Sequence, residues 1–344
     1  MARIAINGFG RIGRIFFRQA FGKKDLNIVA INDLGDLENL AYLLKYDTIY
    51  GRFQEGVKIK DGNLVVGGKA VQYFQIKDPK ELPWKKLGID IVIESTGTQE
   101  SYEKAKVHIE AGAKRVIITA PAKDNDGEGK TVLMGVNDGE LKTTVLTSNA
   151  SCTTNAAAPV IQIMHETVGI KKAILNTVHG YTATQNIVDG PIHPAVGGAR
   201  GHDFRRGRAA AQNIVPSSTG AAIAVTRAIK ELDGKFDGIS MRVPTVTGSI
   251  ADITFLAKRK TSVLEINDIF RKTATEPRWQ GILKVAEDQI VSSDIIGEPY
   301  GAIVDLNFTK VIDGDLVKVL SWYDNEYGYV ATLVKHVQNV AAII

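Results

Sequence analysis

The residues best placed to do chemistry are Cys152 and His179, with hydroxyl and guanidinium groups near each of them in sequence. Cys152 is the only cysteine among 344 residues and lies in Ser148-Asn149-Ala150-Ser151-Cys152-Thr153-Thr154-Asn155. Val145-Leu146-Thr147 reads as the end of a buried strand and Asn155 to Met164 as a helix, so Cys152 falls at a strand-to-helix turn. Unpaired backbone N–H groups and the positive end of a helix meet at such a turn; both favour a thiolate and can hold an oxyanion. Pro159 either kinks that helix or marks its true start. A small buried hydrophobe is the other common fate of a free cysteine. A nucleophile needs a histidine from elsewhere in the chain.

His179 is the best-placed partner among six histidines. It ends the predicted strand Ala173 to Val178, and Gly180-Tyr181-Thr182-Ala183-Thr184 follows with backbone and hydroxyl groups. A neutral imidazole within reach of Cys152 would draw off its proton and leave an ion pair. His108 and His336 fall on predicted helix faces, His165 at a helix end, and His193 and His202 in a glycine-rich loop; these five read as solvated or core imidazoles. Two further sets look suited to anions. Thr182 and Thr184 follow the histidine, and Arg242 lies in a strand, where an inward guanidinium is costly unless an anion meets it. Ser217-Ser218-Thr219-Gly220 opens a predicted helix, Ala221 to Ile229, and offers a second phosphate nest. Arg205, Arg206 and Arg208 lie just upstream, and a salt-bridged loop is the competing reading for the first two.

The elements that must carry these groups begin with Arg3 to Asn7, a short apolar strand. Gly8-Phe9-Gly10-Arg11-Ile12-Gly13 follows, then an amphipathic stretch from Ile15 to Phe21. A second strand, Ile28 to Asn32, ends at Asp33, twenty residues beyond Gly13. The glycines serve a tight turn, close approach of a pyrophosphate and helix-on-strand contact, while the carboxylate accepts from an adenosine ribose hydroxyl. An aspartate there repels a ribose 2′-phosphate, which favours NAD over NADP. Lys58 to Phe74 reads as a small antiparallel insertion with Asp-Gly and Gly-Gly turns. The alternation then resumes with Ile89 to Ile93, a helix from Ser101 to Ala111 and the strand Arg115 to Thr119. Ligands of such a sheet lie beyond the carboxyl ends of its strands, where Asn7, Asp33, Ser95-Thr96, Thr119 and Cys152 all fall.

Beyond Cys152 long strands follow one another with few helices: Ala173 to Val178, Gly238 to Val243, Ser249 to Leu256, Ala302 to Phe308 and Leu316 to Leu320. They predict a mixed or antiparallel sheet. Ser262-Val-Leu-Glu265 starts a helix with a capping box, and a last helix runs from about Tyr329 to Val340. The irregular stretch Gly180 to Pro216 is too long for a casual loop and should be functional or sit in a subunit contact. The fold class is therefore α/β: a Rossmann-type doubly wound parallel sheet in an NAD-binding domain, residues 1–151 completed by the C-terminal helix 325–344, plus an α+β catalytic domain, 152–324. The totals agree. Hydrophobic residues make up 44% and charged residues 23%, an ordinary globular composition. One cysteine excludes an internal disulfide. No apolar segment has signal-peptide or membrane-spanning length, so the expected location is cytoplasmic. A formal charge of +4 suits anionic small substrates and is too dispersed to argue for nucleic acid.

Taken together, Ile6 to Arg14, Ser148 to Asn155, His179-Gly-Tyr-Thr182, Pro216 to Ala222, Met241-Arg-Val-Pro244 and Ser321-Trp-Tyr-Asp-Asn325-Glu-Tyr-Gly328 resemble the phosphorylating glyceraldehyde-3-phosphate dehydrogenases, in the family's order and across essentially the whole chain. The resemblance implies that Cys152 attacks the aldehyde, that hydride transfer to NAD leaves a thioester, and that inorganic phosphate releases the acyl phosphate. It makes His179 the base and the Cys152 N–H part of the oxyanion site. It assigns Thr182 and Arg242 to the substrate phosphate, and Ser151, Thr153, Thr219 and Gly220, helped by Arg208, to the attacking phosphate. NAD would meet Gly8, Gly10, Arg11, Ile12, Gly13, Asp33, Lys77, Thr96, Thr119 and, at the nicotinamide amide, Asn325. It also implies a homotetramer.

The chain departs from the family in three places. Ala156 replaces a common second cysteine, Lys77 stands where arginine is frequent, and the loop from Asp189 to Arg208 looks longer than usual, with consequences for tetramer geometry and cofactor preference. Two other readings compete. Tyr300 to Asp305 hints at the related erythrose-4-phosphate dehydrogenases, whereas Gly180-Tyr181-Thr182 favours the triose enzymes. A protein that keeps the fold to bind RNA or a partner has no physical reason to retain a thiol, a base and a buried cation together.

Overall fold

The computed structural model describes residues 1–125, 127–192 and 203–344. They divide into two units, Met1–Val132 with Asp138–Ala150 and Leu333–Ile344, and Leu133–Asn137 with Ser151–Thr332.

The first unit opens with β1 (Ala2–Asn7), α1 (Arg11–Ala20), β2 (Leu26–Asn32) and α2 (Leu37–Lys45). A two-stranded ribbon, β3 (Tyr46–Asp47) and β4 (Gly51–Arg52), leads to β5 (Val57–Lys60), β6 (Asn63–Val66) and β7 (Lys69–Phe74). Then come α3 (Trp84–Leu87), β8 (Ile91–Glu94), α4 (Tyr102–Ala105), α5 (Val107–Glu110), β9 (Arg115–Ile118), β10 (Gly129–Thr131) and β11 (Leu146–Ser148). Nine of these strands form one sheet in the order β10-β11-β9-β8-β1-β2-β7-β6-β5. Pairing is parallel from β10 through β7 and antiparallel among β7, β6 and β5. Ile4, Ile6, Ile31, Val92, Ile93 and Ile117 are fully buried; strands covered on both faces read as unbroken apolar runs for that reason.

The register brings strand ends together, with Asn7 beside both Asn32 and Glu94. Asn7 donates to Glu94 Oε2 at 2.6 Å and accepts from Asn32 at 2.8 Å. His108 is a core imidazole, fully buried. The Trp84 indole N–H can only donate and meets His108 Nδ1 at 3.1 Å, so Nε2–H donates to Glu94 at 2.9 Å. The helix expected from Ser101 to Ala111 is two short pieces, α4 and α5, separated at Lys106. Ser101 caps the first through Lys104 N–H, and the second tightens to an i→i+3 bond from Ile109 N–H to Lys106. His336 is equally buried, between Thr147 Oγ1 at 3.0 Å and Asn149 Oδ1 at 3.1 Å.

The second unit contains α6 (Cys152–Thr167), β12 (Ile170–Gly180), β13 (Val215–Ser218), α7 (Ala221–Ala228), β14 (Phe236–Val243) and β15 (Ser249–Ala257). It continues with α8 (Val263–Ala274), β16 (Leu283–Ala286), β17 (Ala302–Ile312) and β18 (Leu316–Tyr323); α9 (Tyr327–Ala341) is the last helix of the chain. Its seven-stranded mixed sheet runs β13-β14-β12-β15-β18-β17-β16. Strict alternation along β15, buried and half-buried in turn, marks a strand with one covered face. Ser262 caps α8 by accepting from Glu265 N–H at 3.2 Å. Pro159 lies inside α6, which starts at Cys152. Of the loop from Asp189 to Arg208, residues 193–202, with His193 and His202, lie outside the described residues. Among the described residues no helix is long and apolar enough to cross a membrane.

Candidate active site

The site in the second unit is built from one row of the mixed sheet. Arg242 on β14 pairs in register with His179 on β12, His179 with Ser249 on β15, and Ser249 with Tyr323 on β18. Residues side by side in a sheet project to the same face, so four distant parts of the sequence deliver side chains to one place. The turn into α6 supplies the thiol. Ser151 is the N-cap, its hydroxyl accepting from Thr154 N–H at 3.1 Å, which puts Cys152 in the first turn, where helix N–H groups are unpaired.

Cys152 Sγ lies 3.4 Å from His179 Nε2. Burial holds the Cys152 thiol above its ordinary value, outweighing the opposite pull of Arg242, the Thr153 hydroxyl and the N–H groups of Thr153 and Cys152. Burial, then the Arg242 cation, drives His179 down to about 3. The imidazole of the resting site is therefore neutral. Two partners compete for its Nδ1. Arg242 Nη1 stands 2.6 Å from His179 Nδ1 and 3.3 Å from the Gly180 carbonyl. A guanidinium has no acceptor and a carbonyl no donor. With the ring proton on Nδ1 it is given to Gly180, and Nε2 is free to accept from the Cys152 thiol. With the proton on Nε2 it faces sulfur while Nδ1 accepts from Arg242. The Gly180 carbonyl is also 2.6 Å from Nδ1 and becomes its partner when Arg242 is drawn elsewhere.

Tyr323 holds this cluster together. Its hydroxyl bonds Thr153 Oγ1 at 2.8 Å and Thr177 Oγ1 at 2.7 Å, and its ring meets the His179 ring edge-on at 5.8 Å. Burial, then the charge Cys152 carries once ionised, pushes the phenol pKa up, so it stays a neutral hydrogen-bonding group. Thr182 Oγ1 bonds Thr184 Oγ1 at 2.9 Å. Thr219 Oγ1 accepts from Ala221 N–H at 3.2 Å, and Gly220 precedes α7 without a side-chain cap; the helix start is thus open to an anion. Arg208 is exposed and pairs with Asp189 at 2.8 Å. Asn325 is buried, and its Oδ1 accepts from Gly248 N–H and the Ser249 hydroxyl, both at 3.0 Å. Tyr323 and Ser249 carry no expected role in the sequence; the motif from Ser321 to Gly328 contains the first, and the second opens an apolar alternation.

The glycine turn of the first unit fits a dinucleotide. Gly8 has φ +94°, and a Cβ there would lie 2.6 Å from Thr96 N. A Cβ on Gly13 would lie 2.2 Å from the Gly8 carbonyl, whereas Gly10 faces open space. Asp33 receives Phe9 N–H at 2.5 Å and Gly35 N–H at 2.7 Å, which fixes the carboxylate and leaves lone pairs for a diol. A cavity of about 290 Å³ is lined by Gly8, Gly10, Asp33, Lys77 and Thr96 among others. Arg11, Ile12, Gly13 and Thr119 are not in that lining. The Arg11 side chain is engaged with Asp47 at 2.5 Å, so its contribution to a ligand would come from its backbone; Thr119 Oγ1 donates to the Glu94 carbonyl at 3.1 Å.

Residues 2–102 match the family described as glyceraldehyde 3-phosphate dehydrogenase, NAD binding domain, and residues 151–325 match its C-terminal domain. Proteins named glyceraldehyde-3-phosphate dehydrogenase are similar over nearly full length. That of Borreliella burgdorferi is 48% identical over 98% of this chain and 99% of its own. That of Clostridium pasteurianum is 45% identical over 100% and 99%, and that of Thermotoga maritima 50% identical over 96% of each.

Proposed function

The chain belongs to the glyceraldehyde-3-phosphate dehydrogenase family, and from that premise we propose that it oxidises glyceraldehyde 3-phosphate to 1,3-bisphosphoglycerate with NAD and inorganic phosphate, through a thioester on Cys152. The observation that carries this reading is the 3.4 Å approach of His179 Nε2 to Cys152 Sγ, under a guanidinium suited to a phosphate.

The substrate phosphate binds Arg242 and Thr182. Capture of Arg242 removes the donor on His179 Nδ1; that nitrogen then takes up the tautomeric proton and donates to the Gly180 carbonyl, leaving Nε2 as an acceptor. His179 Nε2 takes the Cys152 thiol proton, the thiolate adds to the aldehyde carbon with the Cys152 N–H at the forming oxyanion, and Nε2–H returns that proton to the oxyanion, giving the thiohemiacetal hydroxyl. NAD, when bound, supplies the nicotinamide that accepts the hydride. His179 Nε2 takes the hydroxyl proton as the carbon–hydrogen bond breaks, and the carbonyl reforms as a thioester. Inorganic phosphate held by Ser151, Thr153, Thr219 and Gly220 attacks that carbonyl, and collapse expels the Cys152 thiolate. Arg208, paired with Asp189, reaches the attacking phosphate only by giving up that partner.

Gly8, Gly10, Arg11, Ile12, Gly13, Asp33, Lys77, Thr96 and Thr119 hold the cofactor in this reading, with Asn325 at the nicotinamide amide. Asp33 supports NAD over NADP, because a 2′-phosphate would meet its carboxylate. A cytoplasmic homotetramer belongs to the same proposal: a single free thiol suits a reducing compartment, and Ile174, Ile223 and Ile239 are exposed apolar side chains on the second unit. The test is NADH formation from glyceraldehyde 3-phosphate with and without inorganic phosphate, beside erythrose 4-phosphate and NADP. Phosphate-dependent turnover on the triose with NAD supports the reading; preference for the tetrose or for NADP overturns it.

A further inference from the structure

A chain of donors runs through Ser249, whose oxygen touches the strand of His179 on one side and Asn325 on the other. Gly180 N–H lies 3.2 Å from Ser249 Oγ. A backbone N–H can only donate, so Ser249 accepts there and spends its own proton on Asn325 Oδ1, 3.0 Å away. Gly248 N–H reaches the same oxygen at 3.0 Å; Thr247 Oγ1 lies 3.3 Å from it and equally far from Asp324 Oδ1. Two donors on Oδ1, the Ser249 hydroxyl and the Gly248 N–H, settle which end of the amide is which: turned over, the NH2 group would face the Gly248 N–H. Ser249 is 2% exposed and Asn325 5%, so water does not substitute for a lost donor without cost.

We infer that Ser249 is a positioning residue for the nicotinamide end of the cofactor: it locks the Asn325 carboxamide with NH2 presented to an acceptor, and ties that lock to the strand that carries His179. The inference rests on the proposed NAD-dependent reading, in which Asn325 meets the nicotinamide carboxamide. The nicotinamide carbonyl is an acceptor and needs the NH2 end. Without Ser249 the amide keeps fewer of the bonds that hold it, and Gly180 N–H loses its partner.

The experiment measures dissociation constants for NAD and for ADP-ribose, which lacks only the nicotinamide, with the wild type, Ser249→Ala, Asn325→Ala and the double variant. Ser249→Ala is expected to weaken NAD about three- to tenfold, the worth of one buried hydrogen bond, and to leave ADP-ribose unchanged. In the Asn325→Ala background it adds no further loss for NAD. Equal weakening of both ligands, an unchanged NAD constant, or an additional loss in the double variant overturns the inference. If Ser249→Ala does not fold, Ser249→Cys, a weak donor of similar size, is read for the same contrast. A wild type that binds no NAD overturns the cofactor reading itself, and this shows before any variant is made.

Discussion

Arg242 Nη1 lies 2.6 Å from His179 Nδ1, so the guanidinium proposed to meet the substrate phosphate also touches the imidazole beside Cys152. The two strands pair in parallel with these residues in register, and no local feature of either sequence segment shows it. In the proposed mechanism substrate capture and base arming therefore share a residue.

Arg242→Leu is therefore expected to raise KM for glyceraldehyde 3-phosphate by about 10- to 100-fold, the worth of a charge-assisted bond. Oxidation of unphosphorylated glyceraldehyde should change much less. Steady-state kinetics on both aldehydes check this, and equal losses on the two would remove the phosphate contact from the account.

Replacing His179 by Asn keeps a polar side chain and removes the proton acceptor. We expect kcat to fall by about 10²–10⁴-fold, with slower alkylation of Cys152 by iodoacetamide at neutral pH. Wild-type turnover in this variant would leave the base unassigned.

Tyr323→Phe deletes one hydroxyl and strands two, those of Thr153 and Thr177. Loss of buried partners costs about 1–3 kcal/mol, read as a lower urea midpoint. KM for inorganic phosphate should also rise, because Thr153 loses the bond that orients it. Coincident unfolding curves would contradict the bridging role.

Two imidazoles, His179 and His336, are each driven down to about 3, by burial for both and then by Arg242 for the first. Unfolded histidines take up protons below about pH 6.5. The unfolded state then binds more protons than the folded one, so stability falls as pH drops from about 6.5 towards 3 and changes little from this source above 7. Denaturant midpoints at pH 7.5 and pH 5 measure the slope. His336→Asn should flatten it; an unchanged slope would mean that another group carries the acid sensitivity.

Much of this architecture is legible in the residues. Gly8, Gly13 and Asp33 announce their turn because a positive φ, a close approach and a fixed spacing each demand a residue type. Ser151 and Ser262 announce helix starts because capping is local. The same locality explains what is hidden. Tyr323 meets Thr153 and Thr177 across 170 and 146 residues, and Ser249 joins His179 to Asn325 only through strand order and register. The break at Lys106 is hidden for another reason: the pattern from Ser101 to Ala111 is helical throughout, and it is the burial of His108 against Glu94 and Trp84 that distinguishes its second half.

In the proposed mechanism Cys152 carries the acyl group. Enzyme mixed with glyceraldehyde 3-phosphate and NAD without inorganic phosphate, then quenched in acid and mapped by mass spectrometry, should carry a 3-phosphoglyceroyl group on the peptide containing Cys152, and a chase of inorganic phosphate before quenching should remove it. Absence of the adduct during NADH formation, or its presence on another residue, would contradict the account.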